Sequence, residues 1–103
     1  MKVRFTRQAR IEFFRIVDVF TEYAGQRYAQ TFIDKVTDIG SLLNKFPFAG
    51  HPEPLLKERK RLYRAKSINE NYRVIYYVAK TYIWIVDIWD RRRNPAFLTK
   101  RVK

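Results

Sequence analysis

Two runs of β-branched and aromatic residues, Tyr72 to Ala79 and Tyr82 to Trp89, are separated only by Lys80-Thr81. Residues of these types fit a pleated, half-buried surface, and so short a break between them predicts a β-hairpin. A two-stranded ribbon this apolar is not stable alone in water and must be covered by other elements. The cover has to come from a chain of 103 residues, the length of a single domain (1–103) with one core.

The N-terminal half supplies it. Lys2 to Phe5 alternates basic and apolar residues and predicts a short edge strand, with Val3 and Phe5 on one side. From Thr6, a candidate N-cap, Ala9, Phe13, Ile16, Phe20 and Tyr23 follow the spacing of one helical face, and Ala24-Gly25 supplies the stop. Ala29, Phe32, Val36, Ile39, Leu43 and Phe46 repeat that spacing, with Leu42 widening the stripe, so two helices form an antiparallel hairpin. Gly40 inside the second helix implies close packing or a slight bend, and Pro47 ends it. The stretch from Phe46 to Pro54, with three of the four prolines, is a stiff crossing to the β half.

Arg61 to Lys66 alternates as a further strand, and Ser67 to Asn71 reads as its turn. Pairing Ile68 with Asn71 around Asn69-Glu70 sets Lys66 opposite Arg73 and Arg64 opposite Ile75. The expected architecture is α+β: an N-terminal strand and a two-helix hairpin on a small curved antiparallel sheet, in the order β-α-α-β-β-β. Whatever the register, the connectivity of an antiparallel meander brings Lys66, Arg73 and Arg91 to Arg93 to one edge of the sheet.

Charge points to the kind of partner. The chain has 22 Lys+Arg against 10 Asp+Glu, and residues 51–103 hold 14 of the basic residues but only five of the acidic ones. A field of that sign favours a polyanion. With 47% hydrophobic and 17% aromatic residues the chain is not a disordered basic tail. The absence of Cys excludes disulfides and thiolate chemistry and fits a cytoplasmic setting, and no apolar run is long enough to predict a membrane span. His51 stands alone in the proline-rich loop, and the glycines at 25, 40 and 50 form no phosphate loop. No metal, cofactor or small-molecule ligand is expected.

What remains is a basic set suited to phosphates: Arg64, Lys66, Arg73 and Arg93 as candidate catalytic groups, with Arg61, Arg91 and Arg92 as candidate nucleic-acid contacts. If RNA were cleaved, Lys66 is the candidate base, and an arginine would assist the leaving oxygen. Trp84, Trp89, Tyr72, Tyr76 and Tyr77 are candidates for base stacking or, alternatively, core residues, and Asp87 and Asp90 are expected to pair with nearby arginines.

The Tyr72-Arg73-Val74-Ile75-Tyr76-Tyr77-Val78 strand, the Ile83 to Trp89 strand and the Asp90-Arg91-Arg92-Arg93-Asn94-Pro95 ending resemble the RelE/ParE superfamily of type II toxin–antitoxin toxins. So do the Leu-x-x-Phe-Pro helix end and the loop with Gly50 and Pro52, and the likeness covers nearly the whole chain. It implies a growth-arresting toxin held inactive by an acidic antitoxin. RelE-like members cleave ribosome-bound mRNA without a metal, whereas ParE-like members inhibit DNA gyrase and are not nucleases. By position Arg73 matches the arginine of the RelE branch's Tyr-Arg strand, Arg64 and Lys66 its two strand lysines, and Arg93 the arginine after its last strand. The C-terminal tyrosine of that branch has no counterpart among Phe97, Thr99 and Val102, and Asp90 stands near where some members have His. The Phe-Pro-x-x-Gly exit of the helical hairpin is more like ParE-like chains. A non-catalytic module that binds only its antitoxin, or DNA in autoregulation, is the alternative in a different class.

Overall fold

The computed structural model describes residues 1–102. Its elements are β1 (Lys2–Phe5), α1 (Arg7–Ala24), α2 (Gln26–Lys45), β2 (His51–Pro52), a 3₁₀ turn (Pro54–Leu56), β3 (Arg64–Ser67), β4 (Tyr72–Val78), β5 (Tyr82–Asp90) and α3 (Pro95–Arg101). The five strands form one sheet in the order β1-β5-β4-β3-β2. The α+β class and the sequence of main elements are as expected. Two-residue β2 and helix α3 are additions, and the sheet is mixed, because β1 runs parallel to β5 with Val3 opposite Ile83. Both outer strands are short, which limits the unpaired edge offered to other chains. Among the described residues no helix is long and apolar enough to cross a membrane.

Local sequence explains the helix ends. The Thr6 hydroxyl accepts from the Ala9 amide at 3.2 Å, and the Thr6 amide donates to the Ile85 carbonyl at 2.9 Å, so the cap also ties α1 to β5. Gly25 separates α1 from α2 at φ 92°, where a Cβ is strained. Asn94 caps α3 through the Ala96 amide, with Pro95 in the first turn. Asn94-Pro95 thus does more than close the run that follows β5; it starts a helix.

The single core expected from the length is two apolar layers, one on each face of the sheet. On the hairpin side, Ile16, Phe32, Val36 and Leu43 pack with Val74, Tyr76, Ile83, Ile85 and Ile88. On the far side, Leu56, Tyr63, Ala65, Ile75 and Trp89 pack with Leu98 and Val102, so α3 and the 3₁₀ turn form the second cover. The helical stripes overrun the sheet at both ends: Tyr23 is 80% exposed and Phe46 61% exposed, against the expectation that both are core. Gly40 is not closely packed, because a Cβ there would meet nothing within 4 Å.

A bulge interrupts the β4–β5 ladder, where Ile75 faces Asp87 but Tyr76 faces Ile85. The extra residue, Val86, switches which residues of β5 face the helices. Ile83 and Ile85 before it and Ile88 after it all reach the hairpin core, while Asp87 and Trp89 turn to the far side.

Candidate functional site

The register of β3 against β4 decides which basic residues can act together. Ser67 lies opposite Arg73, Lys66 opposite Val74 and Arg64 opposite Tyr76. The expected pairing, Lys66 with Arg73, is off by one residue. The cause is the turn: Asn69 Oδ1 accepts from the amides of Asn71 and Tyr72, both at 2.9 Å, and the Ile68 amide donates to the Tyr72 carbonyl. This Asx turn makes a three-residue loop in place of the two-residue one. A slip of one residue reverses every face assignment. Arg64 and Lys66 therefore share the hairpin face with Tyr76 and Val74, and Arg73 shares the far face with Trp89. The three residues lie on neighbouring strands, but they do not converge on one face.

Arg73 is, in addition, already partnered. Its Nη2 donates to Glu53 Oε1 at 2.9 Å, and the Glu53 side chain is fully buried. Glu53 comes from Pro52-Glu53-Pro54, and the same oxygen accepts from the Leu55 amide at 3.3 Å to cap the 3₁₀ turn. Glu53 Oε2 and Arg73 Nε are buried without partners among the described residues, so only one arm of a two-armed contact is closed. Arg93 lies over Trp89 at 5.8 Å and Phe97 at 5.4 Å on this same face. Arg92 grips Asp90 through two contacts of 3.0 Å. That hydrogen-bonded guanidinium holds the Asp90 carboxyl below the usual carboxylate range. The Arg91 amide donates to the Asn71 carbonyl at 2.8 Å, which ties the triplet to the β3–β4 turn.

The other end of the β3–β4 ladder is built differently. Beyond Arg64 and Tyr76 the two strands part, and Leu62 leaves the ladder while Tyr77 and Val78 continue. Arg64 Nη1 donates to the Gly50 carbonyl at 2.7 Å, and its guanidinium lies 5.0 Å from the centre of the Phe48 ring. Arg61 lies 4.4 Å over the Tyr77 ring. Tyr76 braces this corner from below: its hydroxyl accepts from the Gly50 amide and donates to the Pro47 carbonyl, both at 2.9 Å. Gly50 is required there, since a Cβ would sit 2.5 Å from the Ala65 carbonyl oxygen.

A third polar cluster joins three elements. Arg101 of α3 donates to Asp87 Oδ1 at 2.7 Å and to Glu12 Oε2 at 2.9 Å, and Glu12 also takes Arg15. Burial raises the Asp87 carboxyl to about 6 despite the opposing pull of Arg101. Burial acts on Glu12 too, but Arg15 and Arg101 together hold it below its ordinary value.

The aromatic candidates divide by burial. Tyr72, Tyr76 and Trp89 are core residues, whereas Tyr77 and Trp84 retain partial exposure. Sequence reasoning missed Glu53, Phe48 and Leu62. A lone acid between two prolines in a basic segment was the available sign for Glu53.

The family described as the ParE toxin of the type II toxin–antitoxin system, parDE, matches residues 3–95. The chain belongs to the ParE toxin family. As a ParE-family protein it is a toxin of the type II toxin–antitoxin class and falls within the RelE/ParE superfamily suggested by the strand motifs. No curated protein matches it. Several solved structures share its fold. A chain of a chromosomal ParDE toxin–antitoxin system from P. aeruginosa has a TM-score of 0.70 at 19% identity, covering 87% of this chain and 95% of that one. A YoeB/ParE toxin from Agrobacterium tumefaciens has a TM-score of 0.61 at 19% identity, covering 88% and 99%.

Proposed function

We propose that this ParE-family toxin arrests growth by inhibiting DNA gyrase, without cleaving RNA, and that an acidic antitoxin neutralises it. The observation that carries the reading is the Arg73–Glu53 pair. A nuclease of the RelE type needs its basic groups on one surface and free to meet the scissile phosphate, because their value lies in charge placed where charge develops. Here Arg73 is held by a buried carboxylate, and Lys66 and Arg93 lie on opposite faces of the sheet. The ParE family match and the missing C-terminal tyrosine support the same reading.

The test is a pair of assays on purified toxin. Gyrase, ATP and relaxed plasmid should show lost supercoiling and accumulation of cleaved DNA, while mRNA on translating ribosomes stays intact. Ribosome-dependent mRNA cleavage with gyrase unaffected would overturn the proposal. The antitoxin arm is read in the same gyrase assay by adding the acidic protein encoded beside the toxin, which should restore supercoiling.

A further inference from the structure

At the corner where β3 parts from β4 lies a cleft of about 140 Å³ lined by Phe48, Arg61, Leu62, Arg64, Tyr77 and Val78. Phe48 is 64% exposed and Leu62 58% exposed, so two large apolar side chains stand in water beside two guanidiniums. Exposed apolar groups that cluster with convergent polar donors mark a binding surface more often than chance exposure does. We infer that this cleft is a binding site for single-stranded nucleic acid, taking one base against Phe48, Leu62 and Tyr77 and the flanking phosphates on Arg61 and Arg64.

Size argues first. The cleft is well below the roughly 300 Å³ at which pockets begin to hold drug-sized ligands. It suits a single planar ring inserted from a longer chain. Its composition argues next: rings supply a stacking surface that any base can use, and guanidiniums stacked on those rings keep their edges turned outward as donors. Arg64 is fixed by one bond to the Gly50 carbonyl, which leaves most of its five donors for a ligand.

Continuity argues third. Arg61 also lines two adjoining cavities, one of about 310 Å³ toward Arg101 and one of about 290 Å³ toward Lys57 and Lys60. Among the described residues, the only acid lining any of the three is Glu53, 1% exposed and engaged by Arg73. A string of cationic hollows with a ring-lined notch at its centre matches a flexible chain of phosphates carrying bases. An acidic peptide would use the cations but has no general need of the notch, and a duplex keeps its bases stacked inside. The site is independent of the gyrase reading, since it concerns binding alone.

The experiment must separate stacking from the attraction that any protein with net charge +12 exerts on a polyanion. Fluorescence anisotropy with labelled oligo(dT) and oligo(rU), titrated across a salt series, does so. Phe48→Ala and Leu62→Ala change no charge, and Phe48→Ala should weaken binding about tenfold with an unaltered salt slope. Arg61→Ala should lower that slope by about 0.7, the value for one phosphate contact on a single strand. A duplex of equal length should bind more weakly than the single strand and should not respond to Phe48→Ala. Thermal unfolding of each variant checks that the fold is kept. The inference fails if Phe48→Ala and Leu62→Ala both bind single strands as the unsubstituted protein does. It fails equally if duplex competes as well as single strand, or if polyglutamate binds with the same dependence on Phe48.

Discussion

Arg73 reaches a carboxylate that solvent does not touch, whereas about 10 to 13 Å further along β4, at the strand rise to Tyr76 and Tyr77, Arg64 and Arg61 lie over rings that solvent does touch. Both ends of the ladder carry arginine, and both lie near the same proline-rich crossing. They differ in what the crossing delivers. Toward Arg73 it sends Glu53, which folds under the sheet and neutralises the guanidinium. Toward Arg64 it sends Phe48 and the Gly50 carbonyl, which position a guanidinium without neutralising it. A count of basic residues treats the two ends as equal, but Arg73 is neutralised internally whereas Arg61 and Arg64 keep their charge available to a partner.

The largest effect should come from opening the closed end. Arg73→Ala leaves the Glu53 carboxylate buried with no counter-charge, a defect of about 3 to 5 kcal/mol. Urea unfolding should show that loss, and replacing both partners by Met should recover most of it, since a well-packed apolar pair avoids the desolvation of either charge. Loss of toxicity in the single variant would then report unfolding, not a missing active group. A stability change under 1 kcal/mol would mean that Glu53 and Arg73 do not close this end of the ladder.

Asp87 gives a second, pH-dependent measure of internal pairing. Its carboxyl is raised to about 6, so between about pH 4 and 6 the folded state holds a proton that the unfolded chain releases. Stability from this group is therefore present at low pH and falls as pH rises through that window. Relative to Asp87→Asn, the unsubstituted protein should lose about 2 kcal/mol from pH 4 to pH 7; groups outside the cluster cancel in the difference, whereas Glu12 does not, because it shares Arg101 with Asp87. Glu12 runs the other way, because its lowered value makes its contribution disappear as pH falls. A difference that grows with pH would show that Arg101 outweighs burial at Asp87.

Tyr76 tests the support beneath the open end. Tyr76→Phe removes a hydroxyl that serves both the Gly50 amide and the Pro47 carbonyl, and leaving these groups unpaired should cost about 1 to 3 kcal/mol. Chemical denaturation measures the cost. Crosslinking or hydrogen exchange should show it localised to residues 46–51, because β4 itself keeps its ladder.

These contrasts also explain what could be read from the residues alone. The strand runs, helix stripes and Gly25 stop act through near neighbours, and the chain order announces them. The site depended on register, and register depended on whether Asn69 makes an Asx turn, a choice between loops of two and three residues. That one step moved Arg73 to the face opposite Lys66. The bulge at Val86 had the same character, since period-two counting along β5 fails there. Asn94-Pro95 was legible in principle as a cap followed by a first-turn proline, but the strong strand before it made the pair look like a terminator. Glu53 stood out as an acid between two prolines, but its partner could not be read: 20 positions of sequence separate it from Arg73, and no local pattern links them.

The smallest expected effect on stability bears most directly on the open end. Phe48 is 64% exposed, and its ring meets the Arg64 guanidinium on one side, so Phe48→Ala removes little buried area and should shift the unfolding free energy by no more than about 0.5 kcal/mol. The same truncation deletes the exposed ring of the cleft. A residue whose loss is nearly silent in unfolding but costly in binding is a surface held for a partner. A residue whose loss is costly in unfolding is part of the scaffold, as at Arg73. Measuring both quantities on Phe48→Ala and on Arg73→Met paired with Glu53→Met sorts the two ends on one scale. Equal stability costs at Phe48 and Tyr76 would instead make the Phe48 ring a structural lid on the Gly50 corner, and the contrast between the ends would reduce to two ways of tying down the same loop.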